Sequence, residues 1–129
     1  MTIKEVGKLF DISPDTLRYY ERVGVIPRVA RTEGGNRDYN EDDLKWVQNA
    51  ICFRSAGLSI EKLIEYVKLF QMGDETFQER CDLLKQAKIE ILENRKKYDD
   101  ALEKLEYKIS KYEEAVKTGE LVWEDENIK

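Results

Sequence analysis

Apolar residues Ile3, Val6, Leu9 and Phe10 recur at helical spacing immediately after the stretch Thr2-Ile3-Lys4-Glu5. That stretch fits a capping box, with Thr2 as the cap and Glu5 three residues on, so a first short helix is predicted over about residues 3–10. Asp11-Ile12 reads as a tight turn. Ser13 is a good N-cap, and Pro14 occupies the first helical position, where its missing N–H costs nothing. A second helix then runs to about Arg22 and stops at Gly24. Ile12, Leu17 and the apolar side of the first helix can share a small core. Two short helices joined by a tight turn form a helix-turn-helix, whose second member commonly enters the DNA major groove.

The next segment changes period. Val25, Ile26, Val29 and Ala30 favour extended backbone, Glu33-Gly34-Gly35-Asn36 is a turn signal, and Arg37-Asp38-Tyr39 returns. The expectation is a hairpin wing carrying Arg28, Arg31 and Arg37 near its tip. Asn40 caps a third helix whose first turn holds Glu41, Asp42 and Asp43, as the helix dipole favours, and which ends at Gly57. Ser59 caps a fourth helix over about 60–70, closed by Gly73.

From Thr76 to Thr118 there is no Pro or Gly, and the apolar residues keep a seven-residue beat. Leu84, Ile91, Tyr98, Leu105 and Tyr112 form one column. Cys81, Lys88, Arg95, Leu102, Ile109 and Val116 form the other, interrupted by its two cations. A helix of that length would extend about 65 Å at 1.5 Å per residue. Its seam needs a partner helix, and the chain contains no second helix of similar length, so homodimerisation is expected through Leu84, Ile91, Tyr98, Leu102, Leu105, Ile109 and Tyr112. The domain reading is therefore a head over residues 1–72, a dimerisation helix over 76–118 and an acidic tail over 119–129, the last open to disorder.

Composition narrows the function. The 129 residues are 41% hydrophobic and 38% charged, a balance that suits one modest domain with a long exposed helix. With no histidine and only Cys52 and Cys81, a tetrahedral zinc site cannot be completed within one chain, and His-based catalysis is excluded. Phosphate-cradling glycine loops and nucleophile elbows are absent as well, so neither an enzyme nor a cofactor is expected. No run of about 18 apolar residues could span a membrane. The N-terminal "MTIKEVGKLF" lacks a signal peptide's apolar stretch, so a cytoplasmic protein with reduced thiols is expected. The net charge of -5 is unevenly spread: residues 1–37 hold seven Lys/Arg against five Asp/Glu, and residues 58–129 hold thirteen against eighteen. The weakly positive head can still bind DNA through a few well-placed contacts.

Arg18, Tyr19 and Tyr20 are the most informative of those positions. Three consecutive helical residues point about 100° apart and so cannot all face one ligand; one tyrosine should pack inward while Arg18 and the other tyrosine meet phosphates or base edges. The plainer alternative pairs Arg18 with Glu21 or Glu33 and leaves the wing arginines as solvated charges. A coiled-coil adaptor whose head binds protein is the corresponding alternative function.

The strings "TLRYYERVGVIP", "GGNRDYNEDDL" and "FRSAGLSIEKL" resemble the MerR family of bacterial transcription regulators. The resemblance covers roughly the first 70 residues, and the long helix is similar to that family's antiparallel dimerisation coiled coil. It implies a mainly α fold, with a winged helix-turn-helix DNA-binding domain followed by that coiled coil. It also implies a homodimer on a palindromic promoter, activating by distorting an overlong spacer so that RNA polymerase can engage both promoter elements. Carried over by position, Thr16, Arg18, Tyr19, Arg37 and Tyr39 fall where the family contacts DNA, with Tyr20 and Arg31 beside them. Asn36 stands where an aromatic often precedes the wing arginine.

For the effector, Cys81 matches the first thiol of the family's metal sensors, but "TGELVWEDENIK" supplies no second Cys or His, so no metal is expected. "ICFRSAGLSIEKLIEYVKLFQMGDET" and "LEKLEYKISKYEE" resemble the branch that responds to aldehydes, other electrophiles or nitrosative stress through one thiol in the third helix, a role that would fall to Cys52. On the helical wheel Cys52 lies on the polar flank beside Lys45, Gln48 and Ser55, where cations favour thiolate. The alternatives are that Cys52 merely packs at the contact of the third and fourth helices and that a non-thiol effector binds elsewhere.

Overall fold

A computed structural model describes residues 1–124, and among them the chain forms five α-helices. These are α1 (Ile3–Phe10), α2 (Pro14–Val23), α3 (Glu41–Ser55), α4 (Ile60–Met72) and α5 (Phe77–Thr118), with a single 3-10 turn, Asp74–Thr76, ahead of α5. The chain divides into two compact units, Met1–Ile91 and a second beginning at Leu92.

Local chemistry sets the helix ends. Thr2 Oγ1 accepts the Glu5 N–H at 3.2 Å and Glu5 Oε1 accepts the Thr2 N–H at 3.1 Å, closing the capping box. Asn40 and Asp43 repeat that reciprocal pair at the start of α3, at 2.8 and 2.9 Å. Ser13 and Ser59 each accept one N–H at the starts of α2 and α4. Each such cap contributes about 1 kcal/mol. Gly7, inside α1, looks like a helix-weakening choice until its surroundings are seen. A Cβ there would lie 2.7 Å from the Ile12 carbonyl oxygen, so the glycine lets the turn close tightly on α1. Gly24 ends α2 at φ 90°, and the chain leaves the helix in a left-handed conformation that side chains oppose.

Val6 of α1 and Leu17 and Tyr20 of α2 pack with Val25, Ile26, Val29 and Tyr39 of the wing and with Val47 and Ala50 of α3. Leu58 and Leu63 close the cluster near α4, and Ala87 joins it from α5. The head is a single core to which the wing and all five helices contribute.

The wing departs from a regular hairpin. Its two arms carry one isolated antiparallel bridge, Arg31 to Arg37, and no named strand among the described residues. Two cross-arm bonds support it, from Asp38 N–H to the Ala30 carbonyl (2.8 Å) and from Thr32 N–H to the Asn36 carbonyl (2.7 Å). Nearer the root the ladder is replaced. Pro27 has no N–H to offer, and the Val29 N–H donates to Glu21 Oε2 of α2 at 3.0 Å. The other Glu21 oxygen, Oε1, accepts from Arg37 Nε on the returning arm. One carboxylate thus fastens both arms of the wing to the second helix. The returning arm is also held at Tyr39, whose N–H donates to the Met1 carbonyl at 2.8 Å.

In the second unit, residues 119–124 fold back along α5. The Trp123 ring lies 6.1 Å from that of Tyr107 and 5.8 Å, edge-on, from that of Tyr112. The Glu124 N–H donates to the Tyr107 hydroxyl at 2.8 Å, and Lys111 Nζ donates to Glu124 Oε1 at 2.6 Å. The remainder of the acidic tail, residues 125–129, lies outside the described residues.

Burial pushes the Glu21 carboxyl up, but the Arg37 and Val29 hydrogen bonds and the charges of Arg37 and Arg31 outweigh it and hold the group below its ordinary value of 4.5. A carboxyl depressed in the folded state contributes stability that is complete above the unfolded value and disappears as pH falls through the native one. The stability difference between the parent protein and Glu21→Gln, from urea unfolding, should be constant near neutral pH and shrink on acidification below about 4.5. A difference that grows on acidification would contradict this pairing.

Candidate nucleic-acid interface

Five arginines converge between α2 and the wing. Arg18 and Arg22 lie one helical turn apart on α2, Arg28 and Arg31 come from the outgoing arm, and Arg37 comes from the return. With Glu21 they line an open cavity of about 480 Å³. Guanidinium groups gathered in this way suit phosphate, because each presents planar, paired N–H donors.

Four of these arginines have local partners that differ in kind. Arg18 Nη1 pairs with Asp15 Oδ1 at 2.8 Å, and both side chains are exposed. The sequence alternatives, Glu21 and Glu33, are therefore not its partners, since Glu21 is turned toward the wing. Arg22 stacks over the Tyr19 ring at 5.4 Å. Arg31 Nη1 donates to the Gly35 carbonyl at 3.1 Å, tying the arm to its tip. Arg37 is the one paired with a well-shielded carboxylate among the described residues, as the Glu21 side chain is only 9% exposed.

Of the residues grouped here from sequence, Arg18, Arg31 and Arg37 are brought together directly. Tyr19 stands half-buried beside them under Arg22. Thr16 sits at the start of α2, where its Oγ1 shares a 2.9 Å hydrogen bond with Ser13 Oγ. Tyr20 and Tyr39 are placed differently: they are 8% and 2% exposed and belong to the core. Tyr20 lies three residues beyond Leu17 and so shares its inward face, which makes it the packing tyrosine of the pair. The Tyr39 hydroxyl is buried without a hydrogen-bond partner among the described residues, and burial pushes its pKa up. Arg22 and Glu21 were not singled out from sequence as part of this face. The i, i+4 spacing of Arg18 and Arg22 was the available signal for the first, and nothing local marks the second.

Cys52 is exposed on the last turn of α3, and Cys81 is exposed near the start of α5. Among the described residues no group of three or more Cys, Asp or Glu side chains converges as a metal ion would require. No helix among them is long and apolar enough to cross a membrane. On α5, the side chains of Leu84, Tyr98, Leu102, Leu105, Ile109 and Tyr112 are exposed, and Ile91 is half-buried.

Residues 1–69 match the family model described as MerR HTH family regulatory protein. The HTH-type transcriptional regulator AdhR of Bacillus subtilis (strain 168) is 50% identical over 93 residues, which span 72% of this chain and 66% of AdhR. An uncharacterized HTH-type transcriptional regulator of Haemophilus influenzae is 34% identical over 122 residues, 92% of this chain and 87% of that protein. The solved structure of HiNmlR, a MerR family regulator lacking the sensor domain and bound to promoter DNA, superposes with a TM-score of 0.84 at 29% identity. That superposition covers 93% of this chain and 95% of the other. A MerR family regulator from Bacillus thuringiensis gives 0.78 at 31% identity, over 87% of this chain and 98% of its own. With a capped helix-turn-helix, a winged arm and a matching family model over the same residues, the chain belongs to the MerR family of helix-turn-helix regulatory proteins.

Proposed function

We propose that this protein is a homodimeric transcription regulator that binds a palindromic promoter spacer and distorts it. The carrying observation is the five-arginine cavity between α2 and the wing, a local basic face on a chain of net charge -5. Arg18, Arg31 and Arg37, with Thr16 and Tyr19 at its edge, would meet the duplex, the arginines on phosphates or base edges. The similarity to HiNmlR, whose structure holds promoter DNA, supports this reading.

The exposed apolar column on α5 supports dimerisation, because such a seam left in water forfeits the burial that a second copy supplies. A dimer places two heads at a set spacing and so suits symmetric half-sites. Each surplus base pair in a promoter spacer separates its two elements by about 3.4 Å, and bending or untwisting can realign them at a cost of about 1–10 kcal/mol. RNA polymerase is then affected through the DNA rather than by direct contact. An effector needs only to bias two dimer shapes by a few kcal/mol. The exposed thiol of Cys52 is the group proposed to receive it, with aldehydes or related electrophiles as the inducing chemistry.

Three substitutions test the parts separately. Arg18→Ala should weaken operator binding by about 1–3 kcal/mol in a gel shift, and unchanged affinity would remove Arg18 from the interface. Leu105→Glu should sediment as a monomer at concentrations where the parent is a dimer; a persisting dimer would show that the seam lies elsewhere. Footprinting with and without an aldehyde should give Cys52→Ser the parent footprint and no response to the aldehyde. A retained response would end the thiol-switch proposal.

A further inference from the structure

We infer that Glu21 is a positioning residue that sets the protein's preference for operator over other DNA, by aiming the Arg37 guanidinium and cancelling its charge. This rests on the DNA-binding reading above and concerns the same face. Glu21 accepts at both carboxylate oxygens, from the Val29 N–H at 3.0 Å and from Arg37 Nε, so its own rotamer is fixed by the outgoing arm while it holds the return arm. A guanidinium gripped at Nε retains its two terminal nitrogens, with four N–H donors in one defined plane, for a bidentate partner.

The contrast with its neighbours makes Glu21 distinctive. Asp15, the partner of Arg18, has a side chain 94% exposed, so that pair is screened and easily opened by a competing phosphate. Arg31 and Arg22 are held by a carbonyl and by a ring, which leave their charges uncompensated. At Arg37 a shielded carboxylate subtracts one charge from a cavity lined by five arginines. Glu21, like any carboxyl with an ordinary or lowered pKa, is ionised at neutral pH, so its charge is present to offset that of Arg37. Sequence-independent DNA affinity grows with the number of phosphates neutralised, whereas specific affinity depends on the aim of each donor. Glu21 therefore lowers the first while supporting the second.

The full chain and its Glu21→Gln variant are titrated with an operator duplex and with a scrambled duplex of equal length, over a range of salt. In the variant the scrambled duplex should bind more tightly, with a salt slope steeper by about 0.9, the value for one added phosphate contact. Operator affinity should fall, so that the operator-to-scrambled ratio drops at least tenfold. A ratio within about twofold of the parent overturns the inference, as does a proportional loss of both affinities, which is what a purely structural role would give. Arg37→Lys keeps the charge pair but lacks the fork. It should lose about tenfold in operator affinity with scrambled binding and salt slope unchanged, and parent-like operator affinity in this variant also overturns the inference, even if Glu21→Gln fails to fold. Failure of the parent to prefer its operator would instead sink the DNA-binding reading itself.

Discussion

A single carboxylate joins the second helix to the wing. Glu21 takes one donor from each arm, whereas the arms are joined to each other by a single isolated bridge, made of two backbone hydrogen bonds. Two-stranded ribbons of that size are marginal in water. The wing's apolar residues, Val25, Ile26, Val29 and Tyr39, are buried against the helices, so the ribbon has a core on one side and a polar clasp on the other. Because α2 and both arms are fixed to each other, arginines separated by up to nineteen positions in the chain, Arg18 and Arg37, line one cavity.

The helices were legible in the sequence because their ends are written in local chemistry. Thr2, Ser13, Asn40 and Ser59 cap as side-chain acceptors whatever the tertiary context, and Gly24 ends α2 through its own backbone freedom. The wing was legible as a turn but not as a clasp. Residues that favour extended backbone and the turn signal between them suggested paired arms, whereas Pro27 and the diversion of the Val29 N–H to Glu21 leave little ladder to form. A glutamate inside a helix looks like any solvated charge, and only the folded chain brings Val29, eight residues on, and Arg37, sixteen residues on, to its two oxygens. The tyrosines show the same limit. Helical spacing indicated that one of Tyr19 and Tyr20 must face inward, but assigning Tyr20 depends on the Leu17 side of α2 being the buried one.

Periodicity carried further on α5 than on the segment after it. The seven-residue beat marks Leu84, Tyr98, Leu105 and Tyr112 as one column, and these side chains are exposed in the isolated chain. Beyond Thr118 the chain has no repeat at all, so the Trp123 contacts with Tyr107 and Tyr112 had no sequence signal beyond an isolated aromatic in an acidic stretch. Lys111 illustrates the consequence. Within the beat it is an ordinary polar position, yet its side chain is 6% exposed, bridging Glu114 at 3.6 Å and Glu124 at 2.6 Å.

An acidic protein that binds DNA is less paradoxical when range is considered. At physiological ionic strength exposed charges are screened beyond about 8 Å, so a phosphate at the α2–wing face responds to the arginines lining it rather than to the net charge of the chain. The total of -5 acts instead on encounters at every other surface, where it disfavours adventitious contact with a polyanion. Glu21 applies the same principle at close quarters, within the basic face itself. Total charge and clasp thus restrain sequence-independent attraction, the first away from the basic face and the second within it, and what is left for discrimination is the geometry of a few fixed guanidinium groups.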